Sequence, residues 1–185
     1  MNDIMDTKEV TVFKNTIYRG KILNLRVDIA GLPNGKEAPR EFVEHNGGVT
    51  VAALTDDAEL IFVRQFRYPY MEEVLELPAG KLEKGENPLL AGKRELREEA
   101  GVSASQYINL GEFYPSPGYT NEVIYLYGAR DLTQLEQDLD EDEFLNVEYI
   151  PLDKAVDMVL NNEIKDGKTQ AAVLKLAALI ERNSK

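Results

Sequence analysis

The sequence predicts an α+β fold, a mixed β-sheet with few helices, rather than a regular series of βαβ units. Three observations predict it. Short runs rich in β-branched and aromatic residues recur along most of the 185 residues. Helical patterns are confined to three places, and no internal repeat or low-complexity linker separates them. A hydrophobic share of 43% supplies enough apolar surface for a core.

The elements follow in order. Residues 9–30 contain VTVFKNTIY and ILNLRVDIA, two strand-like segments of period-two alternation divided by Arg19-Gly20. Leu32-Pro33-Asn34-Gly35 supplies an Asn-Gly turn and strand-like REFVEH follows. Residues 1–45 therefore read as an antiparallel β arm, ahead of a domain over 46–185. Gly47-Gly48 breaks the chain, after which VTVAAL and ELIFVRQF flank Thr55-Asp56-Asp57-Ala58 and predict a second hairpin in a buried sheet. A helix is expected from Pro88 to Ala100, strands at INLGEFY, NEVIYLYGA and EFLNVEYI, and two closing helices at LDKAVDMVLNNE and TQAAVLKLAALIER.

Charge and composition narrow the function. The net charge is -12, with 33 acidic against 21 basic residues. Such a surface repels nucleic-acid backbone and anionic lipid, so neither a nucleic-acid polymer nor a membrane is an expected partner. A small phosphate ligand would need cations between itself and these carboxylates. The absence of cysteine excludes disulfides, thiolate metal sites and cysteine nucleophiles. MNDIMDTKEV has no apolar signal region, and no run approaches the ~18 apolar residues of a membrane span, so a cytoplasmic location is expected. The single histidine, His45, sits in HNGG at a strand end and reads as structural; a G-x-S-x-G elbow and a P-loop are both missing.

The chemistry concentrates in residues 80–102, GKLEKGENPLLAGKRELREEAGV. Asn87 suits an N-cap, Pro88 the first helical position and Gly101 the residue past the C-terminus. Leu89, Leu96 and Ala100 form a narrow apolar stripe, with Glu95, Glu98 and Glu99 together to one side of it. Three like charges in one patch repel, and Arg94 offsets only part of this. A hard cation such as Mg²⁺ offsets the rest, because it takes oxygen ligands and is usually shared between carboxylates and substrate phosphates. An isolated acidic helix face is normally just solvated. Here nine positions fit G-x5-E-x7-R-E-U-x-E-E-x-G-U, with U aliphatic: Gly80, Glu86, Arg94, Glu95, Leu96, Glu98, Glu99, Gly101 and Val102. A chance match somewhere in the chain is on the order of one in ten million.

This pattern is the Nudix box, and the chain resembles a Nudix hydrolase. The resemblance implies a loop-helix-loop packed on a mixed sheet in an α/β/α sandwich-like fold, and Mg²⁺-assisted hydrolysis (Mn²⁺ a possible substitute) of a nucleoside diphosphate linked to another group. By position, Glu95 and Glu99 match the principal metal ligands, Glu98 a third ligand with a catalytic part, and the Ala79 carbonyl a further metal contact. Glu86 and Arg94 match a pair holding the box's loop to its helix, and Gly80 the box's opening glycine. Outside the box, Pro117 in YPSPGYTNE, with RQFRYP, LPNGK, REFVEH, ELPAGKLEKGE and LDEDEF, resembles the ADP-ribose pyrophosphatase branch over most of residues 15–180.

That branch implies further roles. Arg67 matches a residue on the substrate phosphates, Arg40 one that reaches the substrate from the arm, and Pro117, Gly118 and Glu122 the substrate's loop, with Glu122 at the terminal ribose. Glu141 and Glu143 match a mobile acidic loop, one expected as general base and the other, Glu143 among the candidates, to help bind metal. ADP-ribose would yield AMP and ribose 5-phosphate, in a homodimer with exchanged arms. The chain lacks tryptophan, so no aromatic residue is assigned to stack the base, and ADP-glucose or GDP-mannose remain alternative substrates. A non-catalytic nucleotide sensor would have lost box glutamates; all are kept.

Overall fold

The computed structural model describes residues 5–141 and 143–183; Asp142, within the acidic run, lies outside the described residues. It contains eleven strands and three helices among those residues and divides into two compact units, residues 1–46 with 116–122, and residues 47–115 with 123–185.

The first unit is an antiparallel sheet. β1 (Val10–Phe13) and β2 (Thr16–Arg19) pair with one side of β3 (Leu23–Gly31), while β4 (Glu37–His45) pairs with β3 along its length. The expected strand VTVFKNTIY is two short strands, broken at Lys14-Asn15, where Asn15 N–H donates to the Asp28 carboxylate and not to a β3 carbonyl. The Asn-Gly turn forms as expected: Gly35 N–H donates to the Leu32 carbonyl, and Asn34 Oδ1 accepts from Lys36 N–H. Residues 116–122 join this sheet through a bridge from Val43 to Thr120.

The second unit layers helices on both faces of its sheets. β5 (Gly48–Ala53) pairs antiparallel with β8 (Ala79–Lys81) and parallel with β10 (Ile124–Gln134), which pairs with β9 (Val102–Phe113). β6 (Glu59–Arg67) lies between β7 (Glu72–Glu76) and β11 (Leu145–Pro151) in a separate sheet. The expected β5–β6 hairpin is therefore a turn without a ladder. Thr55 N–H still donates to the Glu59 carbonyl, but one bridge, Leu54 to Leu60, is the described pairing between the two strands. The reason is burial. All six residues of β5 are buried, and a strand covered on both faces satisfies its backbone from two neighbours, here β8 and β10.

Alternation along β5 and β6 builds two cores. Ala52, Leu54, Leu60 and Phe62 pack with Leu126, Ala155, Val159, Val173 and Leu176, beneath α2 (Leu152–Leu160) and α3 (Gly167–Asn183). Val51, Ala53 and Ile61 face the other way, onto Leu96 and Ala100 of α1 (Pro88–Ala100). A period of two on a central strand feeds both layers at once. The result is the expected α/β/α arrangement. β7 and β8 were not anticipated, since EEVLELPAGK shows no clean alternation.

Candidate active site

The box helix forms where its caps require. Asn87 Oδ1 accepts from the N–H groups of Leu89 and Leu90 at 3.0 and 3.2 Å. Gly101 ends the helix in the left-handed region, φ 64°, where a side chain would be strained. Beyond the cap the chain folds back onto the helix's last carbonyls. Asp138 N–H donates to the Glu98 carbonyl at 3.1 Å and Gln137 Nε2 to the Glu99 carbonyl at 2.5 Å. The acidic run is therefore hooked to the C-terminal turn that carries Glu98 and Glu99, with Glu141 exposed and Glu143 half-buried.

The carboxylates divide by depth. Glu95 and Glu99 are 8% and 3% exposed, whereas Glu98 is half-buried. They are side by side with Leu96 and Ala100 because packing the apolar stripe against β5 carries the neighbouring turn positions inward. Burial pushes the Glu99 carboxyl up to about 8, opposed by the Ala79 N–H at 2.8 Å and reinforced by Glu95 and Glu143. Burial also raises Glu95, against the opposing Arg94, with Glu98 and Glu143 adding to the rise. Arg94 lies within 2.8 Å of Glu95 and 2.9 Å of Glu98, and at 3.4 Å from Glu86 in the box's loop. Glu86 in turn accepts from Glu83 N–H, closing that loop. A Cβ on Gly80 would overlap the Glu95 carboxylate, so this position needs glycine to make room for it.

These features fit a divalent cation. Two buried carboxylates, with a third beside them and Glu143 within electrostatic reach, are short of positive charge. Among the described residues, however, no three ligating side chains converge closely enough to hold an ion as they stand. Glu99 is turned to the Ala79 N–H and Glu95 to Arg94.

Arg67, expected on the substrate phosphates, is at the end of β6. Its Nε and Nη2 donate to the two oxygens of Glu76 at 2.5 and 2.7 Å. Lys168 Nζ, from α3, also donates to Glu76. Neither Glu76 nor Lys168 was singled out from sequence. The available signal was Glu76 itself, one charge inside the apolar stretch VLELP.

In the first unit, Arg40, Pro117 and Gly118 line one cleft of about 580 Å³, together with Arg26, Phe42 and Tyr119. Arg40 is paired with Glu9 at 2.6 Å. Arg26 is buried, paired with Asp28 and Glu44, and stacked 4.8 Å over the Phe42 ring. Glu122 lies 3.4 Å from His45 Nδ1, and Asn121 Oδ1 accepts from His45 N–H.

Comparison with known proteins places the chain in a family. The chain is 43% identical over 168 residues to the ADP-ribose pyrophosphatase of Bacillus subtilis (strain 168), covering 90% of this chain and 91% of that one. It is 41% identical over 168 residues to the methanol dehydrogenase activator of Bacillus methanolicus, with the same coverage. A solved ADP compounds hydrolase shares the fold with a TM-score of 0.83 at 22% identity, over 95% of this chain and 96% of that chain. The NUDIX domain family model matches residues 44–173, which hold the whole box and the acidic loop, and the chain belongs to the Nudix family.

Proposed function

We propose that this enzyme hydrolyses the diphosphate bond of a nucleoside diphosphate sugar, ADP-ribose to AMP and ribose 5-phosphate. The observation that carries the reading is the complete box with Glu95 and Glu99 buried together beside Glu98 and the acidic loop. The 43% identity to an ADP-ribose pyrophosphatase along nine-tenths of both chains supports this substrate.

The residues that would hold Mg²⁺, or Mn²⁺ in its place, are Glu95, Glu98, Glu99, the Ala79 carbonyl and Glu143. Bound there, the ion supplies charge neutralisation on the diphosphate and a lowered pKa for attacking water. Arg67 provides a fixed positive edge for a phosphate oxygen. Glu143 or Glu141 takes the proton from the attacking water as its oxygen adds to phosphorus and the bridging P–O bond breaks. The hook of Gln137 and Asp138 on the box helix keeps that loop beside the site. Arg40, Pro117, Gly118 and Glu122 are assigned to the nucleoside and ribose portions. The residue 1–45 arm, with Val10, Val12, Phe13, Ile17 and Tyr18 exposed on its short strands, is assigned to exchange within a homodimer. Among the described residues no helix is long and apolar enough to cross a membrane, and we place the enzyme in the cytoplasm.

A substrate panel of ADP-ribose, ADP-glucose, GDP-mannose, diadenosine polyphosphate and NADH, with Mg²⁺ and chromatography of products, tests the reading. ADP-ribose is expected to give the highest kcat/KM, with equimolar AMP and ribose 5-phosphate. A higher kcat/KM for GDP-mannose or ADP-glucose would reassign the substrate, and no turnover of any of them would refute the activity.

A further inference from the structure

Glu76 is 1% exposed, the most buried carboxylate among the described residues, between Leu75 at 6% and Leu77 at 0%. A charge held this deep requires partners on both oxygens. Arg67 supplies a fork, Nε to Oε1 and Nη2 to Oε2, and Lys168 adds a second cation on Oε2. Lys168 is itself fixed. Its Nζ is 3.0 Å from Asp166, whose other oxygen caps α3 by accepting from Thr169 N–H at 3.0 Å. Thr169 Oγ1 then accepts from Leu77 N–H at 2.9 Å, tying the start of α3 to the residue next to Glu76.

The arrangement has two consequences for Arg67. Nε and Nη2 are held on Glu76, while Nη1 makes no hydrogen bond among the described residues and the side chain stays 38% exposed. One edge of the fork is anchored and the other is left for a ligand. Charge matters as well. Arg67 with Glu76 and Asp166 alone would carry a net negative charge, which repels a diphosphate. Lys168, paired with both carboxylates, brings the four side chains to zero beside Glu99, so that Arg67 is not outweighed in a chain at -12.

We infer that Glu76 and Lys168 are positioning residues, which hold Arg67 by one edge and keep its charge from being outweighed by the neighbouring carboxylates, so that its other edge meets the substrate diphosphate. The inference rests on Arg67 binding phosphate in the proposed hydrolysis. A side chain preordered in this way loses less freedom on binding, and its benefit disappears when the arginine itself is gone.

The test is a double-mutant cycle on ADP-ribose hydrolysis with Mg²⁺. Glu76→Gln and Lys168→Met are each made in the wild type and in Arg67→Ala. Each is expected to lower kcat/KM by about tenfold or more when Arg67 is present and by less than about twofold when it is absent. Lys168→Arg should recover to within about threefold of wild type. Equal losses in both backgrounds would make the two residues merely structural and overturn the inference while leaving Arg67's role intact. An Arg67→Ala enzyme with unchanged kcat/KM would instead overturn the phosphate reading, and this inference with it. Thermal melting checks folding, and if Glu76→Gln fails to fold, the Lys168 variants decide by the same criterion.

Discussion

Replacing Glu99 with glutamine separates what the site needs for chemistry from what the fold tolerates. Glutamine has the same shape and can still accept from the Ala79 N–H through its oxygen, but it carries no charge. In the metal-free protein the Glu99 carboxyl is raised from an ordinary 4.5 to about 8 by burial and by Glu95 and Glu143. The folded chain therefore keeps a proton that the unfolded chain has lost, and stability falls as pH rises from about 4.5 to about 8. Relative to a residue that does not titrate, the cost is about 1 kcal/mol at pH 5 and about 4 kcal/mol at pH 8. Glu99→Gln should thus gain about 3 kcal/mol more at pH 8 than at pH 5, roughly 6–12 °C in Tm for a chain of this size. The assay is thermal melting of both proteins in EDTA at the two pH values, with activity measured in parallel. Activity should fall at least ~10³-fold at saturating Mg²⁺, because a ligand and a charge leave together. A melting difference that does not change with pH would refute the burial argument. A mutant that keeps a tenth of wild-type activity would refute the metal assignment.

Three other outcomes are expected. Of Glu141→Gln and Glu143→Gln, one should lower kcat by about 10²–10⁴-fold; near wild-type rates for both single mutants and the double mutant would assign the base elsewhere. Gly80→Ala should displace the Glu95 carboxylate and cost at least ~10-fold in kcat/KM with a shift in the Mg²⁺ dependence, since the new methyl takes the space of a metal ligand; an unchanged Mg²⁺ titration would show that Glu95 does not bind the ion. Light scattering at micromolar concentration should give about twice the 20.8 kDa chain mass, and deletion of residues 1–45 should cost both dimerisation and substrate affinity; a fully active monomer would refute the exchanged arm.

Much of this was legible in the sequence because it depends on local chemistry. Asn87, Pro88 and Gly101 specify the box helix by capping, and the helix spans Pro88–Ala100 as those signals require. The nine-position box identified the family because its spacing is a property of the chain alone. What was not legible depends on long-range pairing. Thr55–Ala58 has hairpin chemistry, yet β5 and β6 enter different sheets because β5 is claimed by β8 and β10. Glu76 and Lys168 are 92 residues apart, and nothing local to either announces the other. The division of the three box glutamates into two buried and one half-buried follows from which side of the helix meets β5, which spacing alone does not specify.

The parallel pairing of β5 with β10 also bears on how the enzyme is made. Gly48 lies opposite Ile124, 76 residues later, and the strand between β8 and β10 is otherwise incomplete on one side. Long-range parallel pairing closes large loops before it gains contacts, and it forms slowly. During synthesis the box helix emerges before β10 does, after the β5 and β8 segments it packs beside. The sheet under α1 is complete only when β10 arrives and pairs with the free edge of β5. The sheet beneath the site is thus completed late, and a ribosome-bound chain ending before Ile124 should hold β5 with its β10 edge unpaired.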